Sequence, residues 1–418
     1  MAFIRNAASM MGLQVAAYIV PLFTLPYLAR VLGVTEFGHL AFSFAVTTYC
    51  VLFADWGFAL SASRKIAQSR DNPDELSQIF WHTMGAKTLL ALVSLLVLLG
   101  LSFVFEALAE RRALLLACWI VVPANVLQPS WFLQGIERMT SLAIASILGR
   151  LATIPLLLLF VHMPADVIKA GAIQASGGAL GALFALRAVR RSGLIGRPVF
   201  DLRRIVAEMG ASWHLFLSTA AANLYTTTNT VVLGALAGPQ AVGNFSAADR
   251  IKTAANGMIM PLSQVAYPRI SRLIKEDADQ GLAFARRFMI LQAGATLLLS
   301  IMLFLFAEPL VRLAVGQRFE EAPAIMRLLA WLPFIVGLSN VFGVQILLPF
   351  GHTQWFSRTL LCAAVISLTL IGPLTFAFGA KGAAMAVLIT ESFVTVTMAV
   401  LVVKAGIPLF RAKKETLT

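Results

Sequence analysis

Charge is what this 418-residue sequence has least of: Asp, Glu, Lys and Arg together make up 13% of it, against 59% hydrophobic residues. That balance cannot furnish a soluble surface, so a soluble globular protein is excluded and an all-α integral membrane protein is expected. Cysteine is scarce too. Cys50, Cys118 and Cys362 stand singly inside apolar stretches with no C-x-x-C pair, so they imply neither disulfide nor thiolate metal site. The histidines at 39, 82, 162, 214 and 352 lack H-x-x-x-H or H-E-x-x-H spacing, which removes metal-assisted hydrolysis. Without a G-x-x-x-x-G-K-[ST] loop or a soluble nucleotide domain, ATP hydrolysis within the chain is excluded as well. No outer loop is long enough for a polymerase or ligase site, and DNPD at Asp71 to Asp74 reads as turn and N-cap residues. An enzyme is therefore not expected.

What is present is a succession of apolar stretches of about 20 residues, each long enough to cross a bilayer. They fall near 7–29, 39–63, 79–105, 113–135, 141–162, 167–189, 210–236, 242–268, 288–311, 323–350, 358–379 and 381–404. The first resembles a signal peptide but continues without a small-x-small cleavage site, so it reads as a retained span. Twelve spans divide into a six-helix lobe at 1–189, a basic linker at 190–209, and a second lobe with its tail at 210–418. The linker, RRSGLIGRPVFDLRRIVAE in part, suggests an amphipathic helix on an anionic membrane surface.

A net charge of +13 would suit nucleic acid, but no nucleic-acid motif accompanies it. Alternate connections instead carry about 21 basic residues against about 7, which predicts that both termini are cytoplasmic. The two halves also echo each other. Gly33-VTEF-Gly38-HLAFS returns as Gly238-PQAV-Gly243-NFSAA after 205 residues, and the same offset takes Arg64 to Arg269 and Asp74 to Asp279. With an even number of spans in each half, the repeats run parallel and place a substrate site between them.

Four bases, Lys87, Arg150, Arg250 and Lys252, lie inside spans. Each costs roughly 2.5 to 3.5 kcal/mol at a helix centre, so none can face lipid. Lys87 and Arg150 sit about nine residues, or about 13 Å, in from a span end, which leaves ion pairing, snorkelling and substrate contact all open. Arg250 and Lys252 point about 160° apart on one helix and cannot both lead a single face. Acids within spans are fewer, namely Asp55, Asp249 and Glu391, which are candidates for coupling to a proton or sodium gradient or to the membrane potential. The excess of bases favours an anionic guest. Gln14 in the first span, Asn223 and Asn229 in the seventh, and Gln264 in the eighth are further substrate-binding candidates, because polar membrane helices are tolerated beside water or partners. No cofactor is implied.

Particular residues resemble a known family. PLFTLPYLARVLGVTEFGHLAFS at Pro21 to Ser43, DWGFALSASRKIA at Asp55 to Ala67, LSQIFW at Leu76 to Trp81 and WFLQGIERM at Trp131 to Met139 are similar to Wzx-type O-antigen flippases. These belong to the group that includes multidrug and lipid II exporters, and the resemblance extends over the whole chain in span layout. It implies two six-helix lobes forming a V around a central cavity lined by the first, second, seventh and eighth spans. It also implies an undecaprenyl-diphosphate-linked oligosaccharide as cargo, with basic cavity residues at positions such as Lys87, Arg150, Arg250 and Lys252. The partners so implied are that lipid-linked oligosaccharide, membrane lipids, and a polysaccharide polymerase with its chain-length regulator. A drug or cation antiporter of the same superfamily and a membrane-embedded glycan transferase or polymerase are the alternatives.

Overall fold

Glycine, proline and short polar runs punctuate the apolar stretches, and the helices end or bend at those points. The computed structural model describes residues 2–198 and 201–409, without side chains for the first nineteen residues and for scattered later positions. All regular structure among the described residues is helical. The first part comprises α1 (Ala2–Asp55), α2 (Phe58–Gln68), α3 (Pro73–Val104), α4 (Glu106–Ala109), α5 (Arg112–Trp119), α6 (Val121–Leu127), α7 (Ser130–Gly135), α8 (Met139–Phe160) and α9 (Val167–Arg190). There follow α10 (Leu202–Glu276), α11 (Ala278–Leu305), α12 (Ala307–Val315), α13 (Ala322–Leu329), α14 (Leu332–Asn340), a π-helix (Val341–Leu347) and α15 (Thr353–Lys404).

Eight stretches of the described residues are long and apolar enough to cross a membrane, and two of them, 46 and 52 residues, exceed a single crossing. Length is resolved by glycine. α1, α10 and α15 break helical geometry at Gly33, Gly238 and Gly379, each with positive φ, and so each supplies two spans. Counted this way, with α5 to α7 as one interrupted span and α13 through the π-helix as another, the described residues give the twelve expected segments.

The fourth and tenth spans depart from the expectation of continuous helices. The fourth stops at Leu127, where Gln128 is extended and Pro129 has no N–H to donate, and restarts at Ser130. The tenth restarts at Leu332 with Pro333 in its first turn, then widens into the π-helix. The linker is helical only from Leu202, where α10 begins, and residues 191–201 form no helix among those described. They strap across the start of α3, where Trp81 Nε1 donates to the Gly196 carbonyl at 3.2 Å and Gly196 N–H donates to Ser77 Oγ at 2.9 Å. Packing side chains and backbone amides consume this segment's polar groups, which outweighs its weak helical periodicity. At Asp71 to Asp74 the helix-start reading holds, since Asn72 caps α3 by accepting from Glu75 N–H at 3.2 Å.

Two compact units result, one running to Gly243 and one beginning at Asn244. The first has an aromatic core in which the fully buried Trp131 and Phe132 meet Phe80 at ring separations of 5.6 and 5.3 Å. Its α1, the turn that follows and α2 run antiparallel to the first limb of α10. Tyr49 hydroxyl bonds Thr228 at 2.7 Å, Trp56 stacks on Phe216 at 4.2 Å, Ser61 bonds Ser212 at 2.8 Å, and Lys65 pairs with Glu208 at 2.6 Å. The internal repeat has a backbone signature here. Gly33 (φ 73°, ψ 174°) and Gly238 (φ 80°, ψ 178°) adopt nearly one conformation, and the contacts beside them are reciprocal. A Cβ at Gly38 would collide with the Pro239 carbonyl, and a Cβ at Gly243 with the Val34 carbonyl. Both pairs are related by the 205-residue offset. The second unit is cored by residues such as Ile270, Leu282, Ile346, Ala363 and Val402.

Candidate functional site

The interruption at Gln128 opens a polar pocket of about 300 Å³ in the first unit, bounded by α1, α6, α8 and α9. Its helices can approach closely because their contact residues are small. A Cβ at Gly149 would strike the Gly177 carbonyl, and one at Gly181 would lie 2.8 Å from the Ala145 carbonyl, so the Gly177-x-x-x-Gly181 spacing seats α9 against α8. Arg150 follows directly after that contact and reaches the pocket together with Thr24, Gln128, Ser146, Thr153 and Gln174. Gln128 is held by a 2.9 Å bond from its amide to Ser146 Oγ. Gln174 Nε2 is buried without an acceptor, and no acid lines the walls. Among the described residues Arg150 has no side-chain partner, so the pocket presents an uncompensated guanidinium and a spare amide donor. Such a set can accept a phosphate or carboxylate oxygen and sugar hydroxyls.

Lys87 is built differently. It is 1% exposed, and its ammonium donates to Asp55 Oδ1 at 2.8 Å and to Asn125 Oδ1 at 3.2 Å. Asp55 is the last residue of α1, immediately before a helix break in which Trp56 and Gly57 both have positive φ. In the second unit Lys252 pairs with Asp249 at 2.6 Å across one helical turn, and Arg250 beside them is half-buried and also engaged. Two of the four in-span bases are thus matched to two of the three in-span acids. The third acid, Glu391, is half-buried on α15 with contacts of its own.

The amide candidates fall in several places. Asn223 Nδ2 donates to the Thr219 carbonyl at 2.9 Å, Asn229 is buried, and Gln264 is exposed. The side chain of Gln14 lies outside the described residues. In the turn that holds Gln264 the buried group is instead its neighbour Ser263, which donates to Gln292 Oε1 at 2.9 Å and whose carbonyl accepts from Gln345 Nε2 at 2.9 Å. Sequence reasoning passed over Gln128, Gln174, Gln292 and Gln345, because a lone amide in an apolar run looks like any other helix residue. A usable signal did exist: Pro129 and Pro333 interrupt corresponding spans of the two halves, and interrupted spans border transporter sites. No group of His, Cys, Asp and Glu among the described residues could hold a metal ion.

Twelve helical segments with an internal repeat and two broken spans are the architecture of polytopic transporters such as those of the multidrug/oligosaccharidyl-lipid/polysaccharide exporter superfamily. The fold agrees with an inward-facing multidrug resistance MATE family transporter of that superfamily, at TM-score 0.74 and 16% identity over 98% of this chain and 100% of that one. It agrees also with the lipid II flippase MurJ in an inward closed conformation, at TM-score 0.70 and 12% identity over 96% of this chain and 87% of that one. Within the superfamily the chain belongs to the family described as "Polysaccharide biosynthesis protein", which matches residues 3–274, and it is a Wzx-type member. A protein of Escherichia coli (strain K12) named as a candidate O-antigen transporter is 35% identical over 94% of this chain and 95% of its own length. The succinoglycan biosynthesis transport protein ExoT of Rhizobium meliloti (strain 1021) is 25% identical over 73% of this chain and 61% of its own length.

Proposed function

We propose that this protein is a flippase that moves an undecaprenyl-diphosphate-linked oligosaccharide repeat unit from the cytoplasmic to the periplasmic leaflet, by alternating access through a cationic cavity. It acts in a bacterial inner membrane with both termini cytoplasmic, beside a polysaccharide polymerase and chain-length regulator. The observation that carries this reading is Arg150, the base that retains its charge without an acid in a pocket of hydroxyls and amides. A diphosphate or acidic sugar supplies the missing counter-charge, and the amides meet neutral sugars. Arg250 is a second contact in this reading, and Lys87 and Lys252 serve through their pairs. Those pairs make Asp55 and Asp249, with Glu391, the sites where a proton or sodium ion alters the balance of charge. A cation antiporter would instead place an acid where Arg150 stands.

Transport of a fluorescent lipid-linked oligosaccharide into the inner face of proteoliposomes tests the site. Arg150→Gln is expected to lower the rate about ten- to a hundredfold, since a lost charge-assisted contact is worth about 1.5 to 3 kcal/mol. Arg150→Lys retains part of it. Unchanged transport by correctly inserted Arg150→Gln protein would remove the pocket from the path, and wild-type failure to move the lipid would remove the flippase reading itself.

A further inference from the structure

A second cavity lies on the flank of the first unit and has the opposite character. It encloses about 510 Å³ between the second limb of α1, the C-terminal half of α3, α4 and the first limb of α10. Phe42, Val46 and Phe53 form its floor, Leu101 and Phe105 one wall, and Ala235 the other. The few polar atoms along it are already used. Tyr49 hydroxyl is bonded to Thr228, and Ser94 Oγ donates to the Ala91 carbonyl at 2.7 Å while accepting from Trp119 Nε1 at 3.3 Å. A guest in this groove gains nothing from being polar, and 510 Å³ is the size of a ligand site.

One end of the groove is charged. Past Phe105 the chain turns into Arg112, whose guanidinium lies 4.1 Å over the Phe103 ring and donates twice to the Ser102 carbonyl, at 3.1 and 2.8 Å. A carbonyl fixes that group without neutralising it. Its neighbour Arg111 is paired with Glu36, and Glu106 and Glu110 stand exposed at either end of α4, so Arg112 offers a guanidinium at this end beside two carboxylates. From Phe42 to Phe53 the floor runs eleven helical residues, about 16 Å, or roughly half of an about 30 Å hydrocarbon core. The groove therefore fits one apolar chain whose head lies within reach of Arg112 at one membrane face.

We infer that this groove holds the polyprenyl chain of the transported lipid, with its diphosphate at Arg112, after the head group has crossed. The inference rests on the flippase reading, under which the Arg112 end faces the periplasm. One slot suits one chain. A phospholipid brings two acyl chains from one glycerol and would leave the second outside, whereas a polyprenyl diphosphate brings a single tail and a compact double charge.

The test uses the full-length protein in phosphatidylcholine nanodiscs with a diazirine-bearing polyprenyl diphosphate, followed by mapping of labelled peptides. Label is expected on residues 42–53 and 94–108, displaced by unlabelled polyprenyl diphosphate and not by phosphatidylglycerol at the same concentration. Ala235→Trp, which fills the slot, should lower that labelling about tenfold. Val97→Trp does the same from a wall position that is 52% exposed and tolerates a large side chain without repacking the core. Arg112→Gln should weaken it severalfold. Label spread evenly over lipid-facing helices, equal displacement by phosphatidylglycerol, or full labelling of both Trp variants overturns the inference. Labelling requires no transport, so groove occupancy in a protein that moves no lipid would fault the flippase reading and leave the groove standing.

Discussion

A lysine at 1% exposure within an apolar bundle persists because its counter-charge is folded onto it. Lys87 and Asp55 are separated by 32 positions and belong to different helices, so no local pattern announces their pairing. The sequence exposes the energetic problem, a stranded base, but only the packing of α3 against the end of α1 discloses the solution. Arg150 shows the converse. Its depth is readable by counting residues, yet its lack of an acid depends on which walls close around it. Lys87→Met is expected to destabilise the detergent-solubilised protein by about 3 kcal/mol, the lower part of the range for an orphaned buried charge, because Asp55 keeps 29% of its side chain exposed. Lys87→Met with Asp55→Leu should recover most of that loss, as read from chemical unfolding of the four members of the cycle. A fully additive cycle would show that the two side chains do not act as a pair.

At the scale of helices, glycine carries more than composition alone conveys. The echo of Gly33 and Gly38 in Gly238 and Gly243 was legible because turn residues recur at fixed spacing, and the like dihedral angles show why: both turns need a backbone that other residues resist. The close approach at the second glycine of each pair was not legible, because a sequence does not say which carbonyl will stand opposite. The same limit applies to the broken fourth and tenth spans. Hydropathy merges their pieces, since an interruption of two or three residues hardly lowers the mean of a long window. Gly38→Ala and Gly243→Ala should each lower thermal stability, by about 1 to 3 kcal/mol or more, because a backbone carbonyl has no rotamer by which to yield. Gly100→Ala, where an added Cβ meets nothing within 4 Å, is the control and should leave the melting temperature unchanged or raise it slightly. Equal melting temperatures for all three variants would mean that the close approaches are loose in the membrane.

For the molecule as a whole, the broad class was the surest reading, because scarce charge over 418 residues leaves few alternatives. The span count was nearly as clear, since apolar length maps directly onto membrane thickness. The linker was less so: its basic residues look amphipathic, yet its backbone is claimed by Ser77 and Trp81. A segment held by contacts on α3 has little mechanical work to do as a covalent bond. Co-expression of residues 1–198 with residues 199–418 should therefore yield a complex that co-purifies and keeps transport within about tenfold of the intact chain. Halves that insert separately but never associate would show that the continuous peptide is needed to bring α10 to α1.

The reciprocal seats around Gly38 and Gly243 bear on ancestry. In a symmetric homodimer, residue i of one subunit meets residue j of the other while j meets i, and a single mutation alters the interface twice. Here a chain keeps both copies of such a contact inside itself, Gly38 with Pro239 and Gly243 with Val34. Duplication and fusion of a six-span unit that dimerised in parallel would produce this pattern of contacts. Divergence of the two copies then leaves Arg150 in one half and Trp355 at the same 205-residue offset in the other, so a charge that symmetry would have doubled is carried by one copy.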